Sequence, residues 1–389
     1  MYLDNAATSF PKPESVYDAV DHWMRNNGTA FGRGQHALAE ANGHMVQQCR
    51  VQLTRLLGLP AASHVALTFN CTDSLNLIIR GLVRPGDRVI ATTMEHNSVL
   101  RPLHQLQDEI GLLFDLVDFD PVTGLVDPAD FERSLHESSA RLAVISHASN
   151  VTGVIQPVRE IVDLAHQAGT MVMLDAAQTA GHVPFSMKDL DVDFLAAAGH
   201  KGLLGPLGTG ILAVRPGLEK LIQPIRCGGT GSSSESMRQP SQMPDLLESG
   251  NMNLPGICGL QASTQWLSSQ TVDAVHRHTL DLTKRLAAGL RDMNGVRIYG
   301  PLADDAAVAD CCPILSMNID GLDCRDVAMI LDQSFDIQTR AGLHCAPLAH
   351  RTLNTFDLNG AVRFSPGCFT EESQIDAALS AIAEIAQSQ

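Results

Sequence analysis

Two stretches of the chain decide its fold, TMVMLDAAQTAGH (170–182) and DFLAAAGHKGLLG (193–205). Each begins with a short apolar run of the kind that forms a buried strand, and then turns polar or glycine-rich. Asp175 ends the first run and Lys201 follows the second, so a parallel sheet would bring both side chains to its carboxyl edge. Open α/β sheets bind their ligands at that edge. We therefore expect a ligand site built around Asp175 and Lys201.

Four further apolar runs of strand length precede these two stretches. They are HVALTF (64–69), RVIATT (88–93), LLFDLV (112–117) and RLAVIS (141–146). Segments with the length and apolar spacing of helices lie among them and beyond, such as Val99–Ile110 and Val158–His166. This alternation predicts an α/β fold, with a large domain in which helices flank a mostly parallel sheet.

The pattern changes after about residue 260, where the regular alternation stops. A long helical stretch, Val272–Met293, comes first and is followed by two short strand patterns, ILSMNID (314–320) and FDIQTR (335–340). A second helical stretch, Glu372–Ala386, closes the chain. These elements predict a smaller α+β domain at the C-terminal end.

The remaining segments complete this division of the chain. Glu14–Arg25 has helical spacing after two prolines suited to a helix start, and an extended segment is expected before it. The polar segment GGTGSSSESMRQPSQMP (228–244) predicts a functional or partly mobile loop. We predict an N-terminal segment (1–15) that packs with the small domain, a large domain (16–260) and a small domain (261–389).

Composition narrows the class of protein. The 389 residues hold 27 Lys and Arg against 43 Asp and Glu, a net charge of -16 that repels nucleic acid and anionic lipid. The chain opens without a signal-like segment and has no apolar run long enough for a membrane span, which predicts a cytoplasmic protein. The chain has nine cysteines, an odd number, so we expect reduced thiols. No two of them form a CxxC pair, so we expect no zinc site.

A carboxylate and a lysine at one sheet edge suit pyridoxal phosphate. The lysine supplies the amine that carries this cofactor, and the carboxylate keeps its ring nitrogen protonated so that the ring withdraws electrons. For either residue alone, a structural Asp or a surface Lys is the commoner interpretation. The wider set of motifs decides between these interpretations.

The chain resembles the cysteine desulfurase and selenocysteine lyase family of class V aminotransferases along nearly its whole length. These are pyridoxal-phosphate enzymes of the fold type I transferases. The matching motifs occur in the same order, and they are YLDNAATSFPKP (2–13), GRGQH (32–36), NCTDSLN (70–76), EHNS (95–98), SHASNVTGVIQPV (146–158), DAAQ (175–178), GHK (199–201), ESGN (248–251) and RAGLHCAP (340–347).

The resemblance implies a role for each matching residue near the cofactor. Lys201 would carry pyridoxal phosphate as a Schiff base, and Asp175 would pair with its ring nitrogen. Gln178, one helical turn after Asp175, would hydrogen-bond the phenolic oxygen. His96 would stack on the ring, with proton transfer as a second role, although a structural histidine is the commoner interpretation of such a residue. Asn150 would lie near the cofactor oxygen and the substrate.

The phosphate end of the cofactor is expected at Thr72, where TDSLNLIIRGL opens a helix. Free N–H groups and the helix dipole favour an anion there, although Thr72 could also be a simple N-cap. Cys71 precedes it and joins the predicted cofactor-binding set, and the resemblance makes His200 a second phosphate ligand.

The chain departs from the family at two positions near the phosphate. Ala198 replaces a Ser or Thr whose hydroxyl binds the phosphate, so one hydrogen bond is missing. Asn251 replaces a Thr that reaches the phosphate of the neighbouring subunit in the family's dimer. Its amide can still donate a hydrogen bond. Together the departures predict looser cofactor binding with the chemistry unchanged.

Cys345 decides which pyridoxal reaction we expect. In RAGLHCAP, Gly342 loosens the loop, and Arg340 and His344 are expected to supply positive charge that favours the nucleophilic thiolate. A desulfurase uses such a thiolate to take sulfur from the substrate as a persulfide. The short loop resembles the SufS and selenocysteine lyase branch, which predicts a dedicated sulfur-acceptor protein.

Two arginines complete the predicted substrate site. Arg363, in GAVRFSPG, matches the family's arginine for the substrate carboxylate, and its planar fork suits that contact. Arg340 is either a second substrate contact or part of a structural ion pair. Cys71, Cys227 and Cys368 are expected near the site, without a role assigned by any motif.

We therefore predict a cysteine desulfurase that converts L-cysteine to L-alanine and leaves the sulfur on Cys345. The predicted catalytic residues are Lys201, Cys345 and His96, in a homodimer with the site at the subunit interface. A selenocysteine lyase or another pyridoxal-dependent C–S lyase, acting on L-selenocysteine or a related amino acid, is the first alternative. A catalytically idle sulfur-carrier scaffold is the second, raised by Ala198 and Asn251.

Overall fold

The computed structural model describes residues 1–31, 34, 36–304 and 310–388. Gly32, Arg33 and Gln35 of the GRGQH motif lie outside the described residues. Within them the helices are α1 (Glu14–Asn26), α2 (Ala37–Leu56), α3 (Cys71–Leu82), α4 (Asn97–Ile110), α5 (Pro128–Glu137), α6 (Val158–Gln167), α7 (Met187–Leu190), α8 (Leu254–Gln270), α9 (Val272–Arg291), α10 (Cys324–Phe335), α11 (Pro347–Thr352) and α12 (Glu372–Gln387).

The strands form two separate sheets. They are β1 (Val65–Thr68), β2 (Arg88–Thr92), β3 (Leu113–Val117), β4 (Leu142–Ser146), β5 (Met171–Asp175), β6 (Phe194–Ala198), β7 (Gly210–Val214), β8 (Val296–Tyr299), β9 (Leu315–Ile319), β10 (Arg340–Gly342) and β11 (Ala361–Phe364).

The large sheet is mostly parallel and has the order β1-β7-β6-β5-β4-β2-β3. Strands β2 to β6 pair in parallel, whereas β7 runs antiparallel to both β6 and β1. The pairing places Ser146 opposite Asp175, and Asp175 opposite Ala196. The carboxyl ends of the central strands therefore meet at one edge, which confirms the fold predicted from the alternating pattern. Strand β7 was not predicted, because its five residues follow a glycine-rich loop without a helix between.

Both faces of the large sheet are buried. On β4, Ala143 and Ile145 point into one apolar cluster while Leu142 and Val144 point into the other. A parallel strand covered on both faces reads as a continuous apolar run, which explains why the sequence shows these strands so clearly.

The small sheet is antiparallel, with the order β10-β11-β9-β8. Helices α9, α10 and α12 contribute to its apolar core. The N-terminal segment joins this sheet, because Tyr2 pairs with Gln338 and Asp4 pairs with Ser365. The predicted strand FDIQTR is wrong over most of its length. Phe335 ends α10, Asp336 caps that helix in a left-handed conformation, and the regular strand begins only at Arg340.

Two further observations concern membrane-spanning helices and disulfide bonds. No helix in the described ranges has the length and apolar character needed to cross a membrane. All nine cysteines carry free thiols.

Candidate active site

A cavity of about 230 Å³ opens at the carboxyl edge of the large sheet, between the two domains. Elements of both domains line it, so residues far apart in sequence share one space. Eleven of the predicted site residues lie on its wall, namely Cys71, Thr72, His96, Asn150, Asp175, Gln178, His200, Lys201, Arg340, Cys345 and Arg363.

Asp175 and Lys201 form the buried centre of this wall. One carboxylate oxygen of Asp175, Oδ1, accepts the Ala177 N–H at 2.9 Å and faces the Cys71 thiol at 3.4 Å. Burial raises the pKa of Asp175, and the Ala177 N–H and the Lys201 charge oppose that rise. Burial also lowers the pKa of Lys201 below 10.5, against the attraction of Asp175. A lysine with a lowered pKa offers a free amine for attack on a carbonyl group.

Cys71 receives a structural role that no motif suggested. Burial, and then the neighbouring Asp175 charge, raise the pKa of its thiol well above 9.0. The thiol is therefore protonated and donates its S–H to Asp175. Cys227 and Cys368, which we also expected near the site, do not line the cavity.

His96 is the N-cap of α4, and its hydrogen bonds determine which ring nitrogen carries the proton. Its Nδ1 accepts the Ser98 N–H at 3.0 Å and lies 2.8 Å from the Ser98 hydroxyl. Burial, and then the charge of Lys201, lower the pKa of His96 to about 4. The ring is thus neutral with its proton on Nε2. A neutral, fixed ring is suited to stacking.

Glu95, next to His96, is a buried carboxyl group that sequence reasoning left without a role. It accepts hydrogen bonds from the Thr92 hydroxyl at 2.7 Å, the Ser146 N–H at 3.0 Å and the Ser146 hydroxyl at 2.7 Å. Burial raises its pKa to about 7. Glu95 therefore ties the ends of β2 and β4 together beneath the cavity. Its place in the EHNS motif was the available signal.

Helix α3 begins at Cys71, one residue before the predicted start. Its N-cap is Asn70, whose side chain accepts the Asp73 N–H at 2.8 Å, so the interpretation of Thr72 as the N-cap is wrong. The Thr72 hydroxyl lies 2.7 Å from the Ser98 hydroxyl instead. Ala198 lies on the cavity wall and offers no hydroxyl there.

Three buried polar side-chain atoms of the wall residues lack a partner in the described part of the chain. They are Nδ1 of His200, Oε1 of Gln178 and Nε of Arg363. Burial, and then the charge of Lys201, lower the pKa of His200 to about 4. The Nε2 of Gln178 donates to the Ala6 carbonyl at 3.2 Å. Gln178 lies in a turn after β5 and not in a helix, contrary to the predicted spacing.

Cys345 lies on a loop with unusual backbone angles. His344 and Cys345 have φ values of 49° and 58°, both in the left-handed region that residues other than glycine rarely adopt. Two groups of the large domain hold the loop. The Asn150 amide donates to the His344 carbonyl at 2.7 Å, and the Asn97 N–H donates to the Cys345 carbonyl at 2.7 Å. The loop therefore connects the two domains, with the thiol half-buried at the cavity wall.

Arg340, and not His344, supplies positive charge to the thiol. Its Nη2 lies 3.9 Å from the Cys345 sulfur. Burial, and then the charge of Arg363, lower the pKa of His344 well below 6.5, so the expectation that His344 is charged is wrong. Among the residues that the structure describes, Arg340 forms no ion pair with a carboxylate, so the predicted structural ion pair is absent there.

Arg363 is buried on β11, and two of its guanidinium nitrogens have partners within the protein. Its Nη2 forms an ion pair with Asp4 at 2.8 Å, and its Nη1 donates to the Asn150 carbonyl at 3.0 Å. Its Nε has no partner within the described ranges. Two of the five N–H groups of the guanidinium make these contacts, so the Nε–H and others remain for an anionic ligand.

Asn251 is the predicted site residue that does not lie on this cavity wall. It is exposed and borders two other surface depressions. Its motif is anchored by Glu248, which forms a buried ion pair with Arg50 at 2.6 Å and accepts the Leu67 N–H at 2.7 Å. The expected contact of Asn251 with a neighbouring subunit stays a prediction.

Comparisons with known proteins agree with one another. The family model described as aminotransferase class-V matches residues 1–378. A probable cysteine desulfurase of Methanothermobacter thermautotrophicus is 31% identical, over 99% of this chain and 94% of its own. The apo cysteine desulfurase of Thermococcus onnurineus NA1 superposes with a TM-score of 0.92 at 31% identity, covering 100% of this chain and 95% of its own. The Escherichia coli cysteine desulfurase CsdA has a TM-score of 0.86 at 27% identity, covering 100% and 94%.

Proposed function

The chain belongs to the class-V aminotransferase family, and from that premise we propose that it is a cysteine desulfurase that uses pyridoxal phosphate and the Cys345 thiol. The single observation that carries the proposal is the shared cavity. It brings a buried lysine, a buried carboxylate and a half-buried thiol beside an arginine into about 230 Å³. A transaminase needs the first two groups but has no use for such a thiol.

Enzymes of this family use pyridoxal phosphate, and the residues present fit that cofactor. The unpartnered atoms of His200 and Gln178 lie in the same cavity as the first turn of α3, where N–H groups favour an anion. His200 and that turn would hold the phosphate, Gln178 the phenolic oxygen and Asp175 the ring nitrogen. The neutral ring of His96 would pack on the cofactor, and Lys201 would hold it covalently.

When bound, the cofactor withdraws electrons from the substrate and weakens its Cα–H and C–S bonds. Lys201, whose pKa is lowered by burial, can take and return a proton at Nζ. The free Nε–H of Arg363 would bind the substrate carboxylate and orient the amino acid, with Asn150 beside it. His96 keeps its Nε2 proton because Nδ1 is occupied by the Ser98 N–H.

In the proposed reaction, Cys345 accepts the sulfur of the substrate. Its thiolate attacks the substrate sulfur, so that an S–S bond forms while the C–S bond breaks and its electron pair stays with the substrate carbon. Protonation of that carbon leads to alanine, and Cys345 keeps the sulfur as a persulfide. Arg340 would stabilise the sulfur anion before and after the transfer.

Product analysis with L-cysteine tests the proposal directly. We expect alanine in the wild type, together with a persulfide that mass spectrometry maps to Cys345. The Cys345→Ser variant should keep the visible absorbance of the loaded protein and lose alanine formation by at least about 10²-fold, because its hydroxyl is a poor acceptor of sulfur.

Three results would contradict the proposal. Full activity of Cys345→Ser with cysteine would favour a lyase in which the thiol is auxiliary, and turnover of selenocysteine alone would define that lyase further. Pyruvate in place of alanine would indicate β-elimination. A protein that takes up no pyridoxal phosphate would favour the idle scaffold.

We further infer that two copies associate and that the persulfide passes to a second protein. The exposed position of Asn251, outside its own chain's cavity, supports a role toward a neighbouring subunit. The half-buried thiol on a short loop supports a partner that approaches the cavity mouth. Light scattering and persulfide transfer assays test the two inferences separately.

A further inference from the structure

Three side chains form a hydrogen-bonded chain behind Cys345. The Nδ1 of His344 lies 3.1 Å from Nε2 of His350, and Nδ1 of His350 lies 2.7 Å from the Thr355 hydroxyl. At the other end, Nε2 of His344 lies 3.3 Å from the Arg340 carbonyl. Both rings are buried, with 4% of His344 and none of His350 exposed. We call this set the histidine relay.

The direction of every hydrogen bond in the relay follows from its ends. The Arg340 carbonyl can only accept, so Nε2 of His344 carries a proton. Burial and the charge of Arg363 lower the pKa of His344 well below 6.5 and that of His350 to about 4, so each ring is neutral with one proton. His350 Nε2 therefore donates to His344, and the Thr355 hydroxyl donates to His350. All four ring nitrogens are satisfied.

The relay lies beside a strained segment of the backbone, at His344 and Cys345. A left-handed residue other than glycine is in a strained conformation, and here His344 and Cys345 are consecutive. The large domain holds their two carbonyl oxygens through Asn150 and Asn97. The relay holds the side of the loop, since His350 belongs to α11 and Thr355 follows that helix. The backbone beside the thiol is thus held both by Asn150 and Asn97 and by the relay.

We infer that His350, supported by Thr355, is a positioning residue that holds Cys345 in place to receive sulfur. The inference rests on the proposed function for the meaning of that placement. Of the relay residues, only His344 lines the cavity, whereas His350 and Thr355 lie behind it. It acts through His344, whose position sets where the next residue points.

A matched pair of substitutions tests the inference. In His350→Gln the longer side chain brings an amide N–H close to the position of Nε2, so the donor to His344 is kept. In His350→Asn the shorter amide reaches only the position of Nδ1, and His344 loses its partner. Thr352→Val is the control, because among the described residues the Thr352 hydroxyl donates a hydrogen bond only to the Leu348 carbonyl of its own helix.

Two readouts should move in opposite directions in His350→Asn. Iodoacetamide labelling of Cys345, measured by mass spectrometry against the exposed Cys227 of the same molecule, should rise about threefold or more as the loop opens. The kcat with cysteine should fall roughly tenfold, because a displaced nucleophile misses its target. Cofactor absorbance should stay unchanged. Thr355→Val and His350→Gln, which both lose the hydrogen bond between Thr355 and Nδ1, should show much smaller changes, and Thr352→Val should match the wild type.

The outcomes separate the relay from other roles. Equal labelling in all variants, or a loss of both labelling and turnover in His350→Asn, would overturn the inference. Equal impairment of the Gln and Asn variants would overturn it as well. If the wild type has no desulfurase activity, the proposed function fails, but the labelling ratio needs no turnover and still decides whether the relay positions Cys345.

Discussion

The two sides of the cavity are built differently. On the large-domain side, Asp175 ends a parallel strand that is buried after its first residue, and Lys201 follows a fully buried strand, so the sheet itself fixes both. On the small-domain side, Cys345 lies on a loop in an unfavourable backbone conformation that a few named hydrogen bonds hold. We therefore expect the proposed cofactor attachment to depend on the packing of the whole sheet, and the proposed sulfur capture to depend on a local arrangement that single substitutions can loosen.

The largest effect should follow from removing the lysine. Lys201→Ala should lose both cofactor retention and turnover, the latter by at least about 10³-fold, because a group on which the chemistry depends is missing. Absorbance after gel filtration and alanine formation measure the two losses. The exposed Lys188→Ala is the control. A variant that lost turnover but retained the cofactor fully would contradict this prediction, because cofactor attachment would then not depend on the Lys201 side chain.

An intermediate effect should follow at Arg363, which lies on the small sheet but contacts Asp4 and Asn150. Arg363→Lys should raise the KM for cysteine roughly 10- to 100-fold, because an ammonium cannot replace the planar fork. Steady-state kinetics separate this effect from kcat, which should change less. Arg285→Lys, at an exposed ion pair with Asp376, is the matched control. An unchanged KM would remove Arg363 from the substrate site.

The smallest effect should follow at Cys71. Cys71→Ala removes the S–H donated to Asp175 and should raise the pKa of that carboxyl further, which weakens its partnership with a protonated ring. We expect the Kd for pyridoxal phosphate, measured by titrating the apoprotein, to rise about two- to fivefold, since a thiol is a weak donor. Cys71→Ser should retain the affinity. A larger loss in the Ser variant than in the Ala variant would show that the hydrogen bond is not what matters.

The sequence predicted these two sides unequally well. The strand ends that carry Asp175 and Lys201 are readable because buried parallel strands appear as continuous apolar runs. Cys345 could be singled out only through its resemblance to a family motif. The left-handed turn at His344 leaves no pattern in composition or spacing. The hydrogen-bonded arrangement of His344, His350 and Thr355 could therefore not be predicted. For the same reason His344 was expected to be charged, although burial makes it neutral.

Other misses have equally physical causes. The segment 335–340 has strand-like residues, but Asp336 accepts the left-handed conformation that ends α10. The contact of Asn251 with a neighbouring subunit would involve a second chain, and it stays a prediction. The contact of Cys71 with Asp175 joins residues 104 positions apart, beyond the range of any local pattern.

The pairing of the N-terminal segment has a consequence for synthesis of the protein. The Leu3 N–H donates to the Gln338 carbonyl, the Ser365 N–H donates to the Leu3 carbonyl, and the Ser9 N–H donates to the His200 carbonyl. Leu3 therefore waits for Gln338 and Ser365, which are translated long after it, whereas Ser9 waits only for His200. Contacts so distant in sequence form late in folding. The cavity wall is complete only after Arg340, Cys345 and Arg363 have been translated, well after the large sheet and Lys201 have emerged.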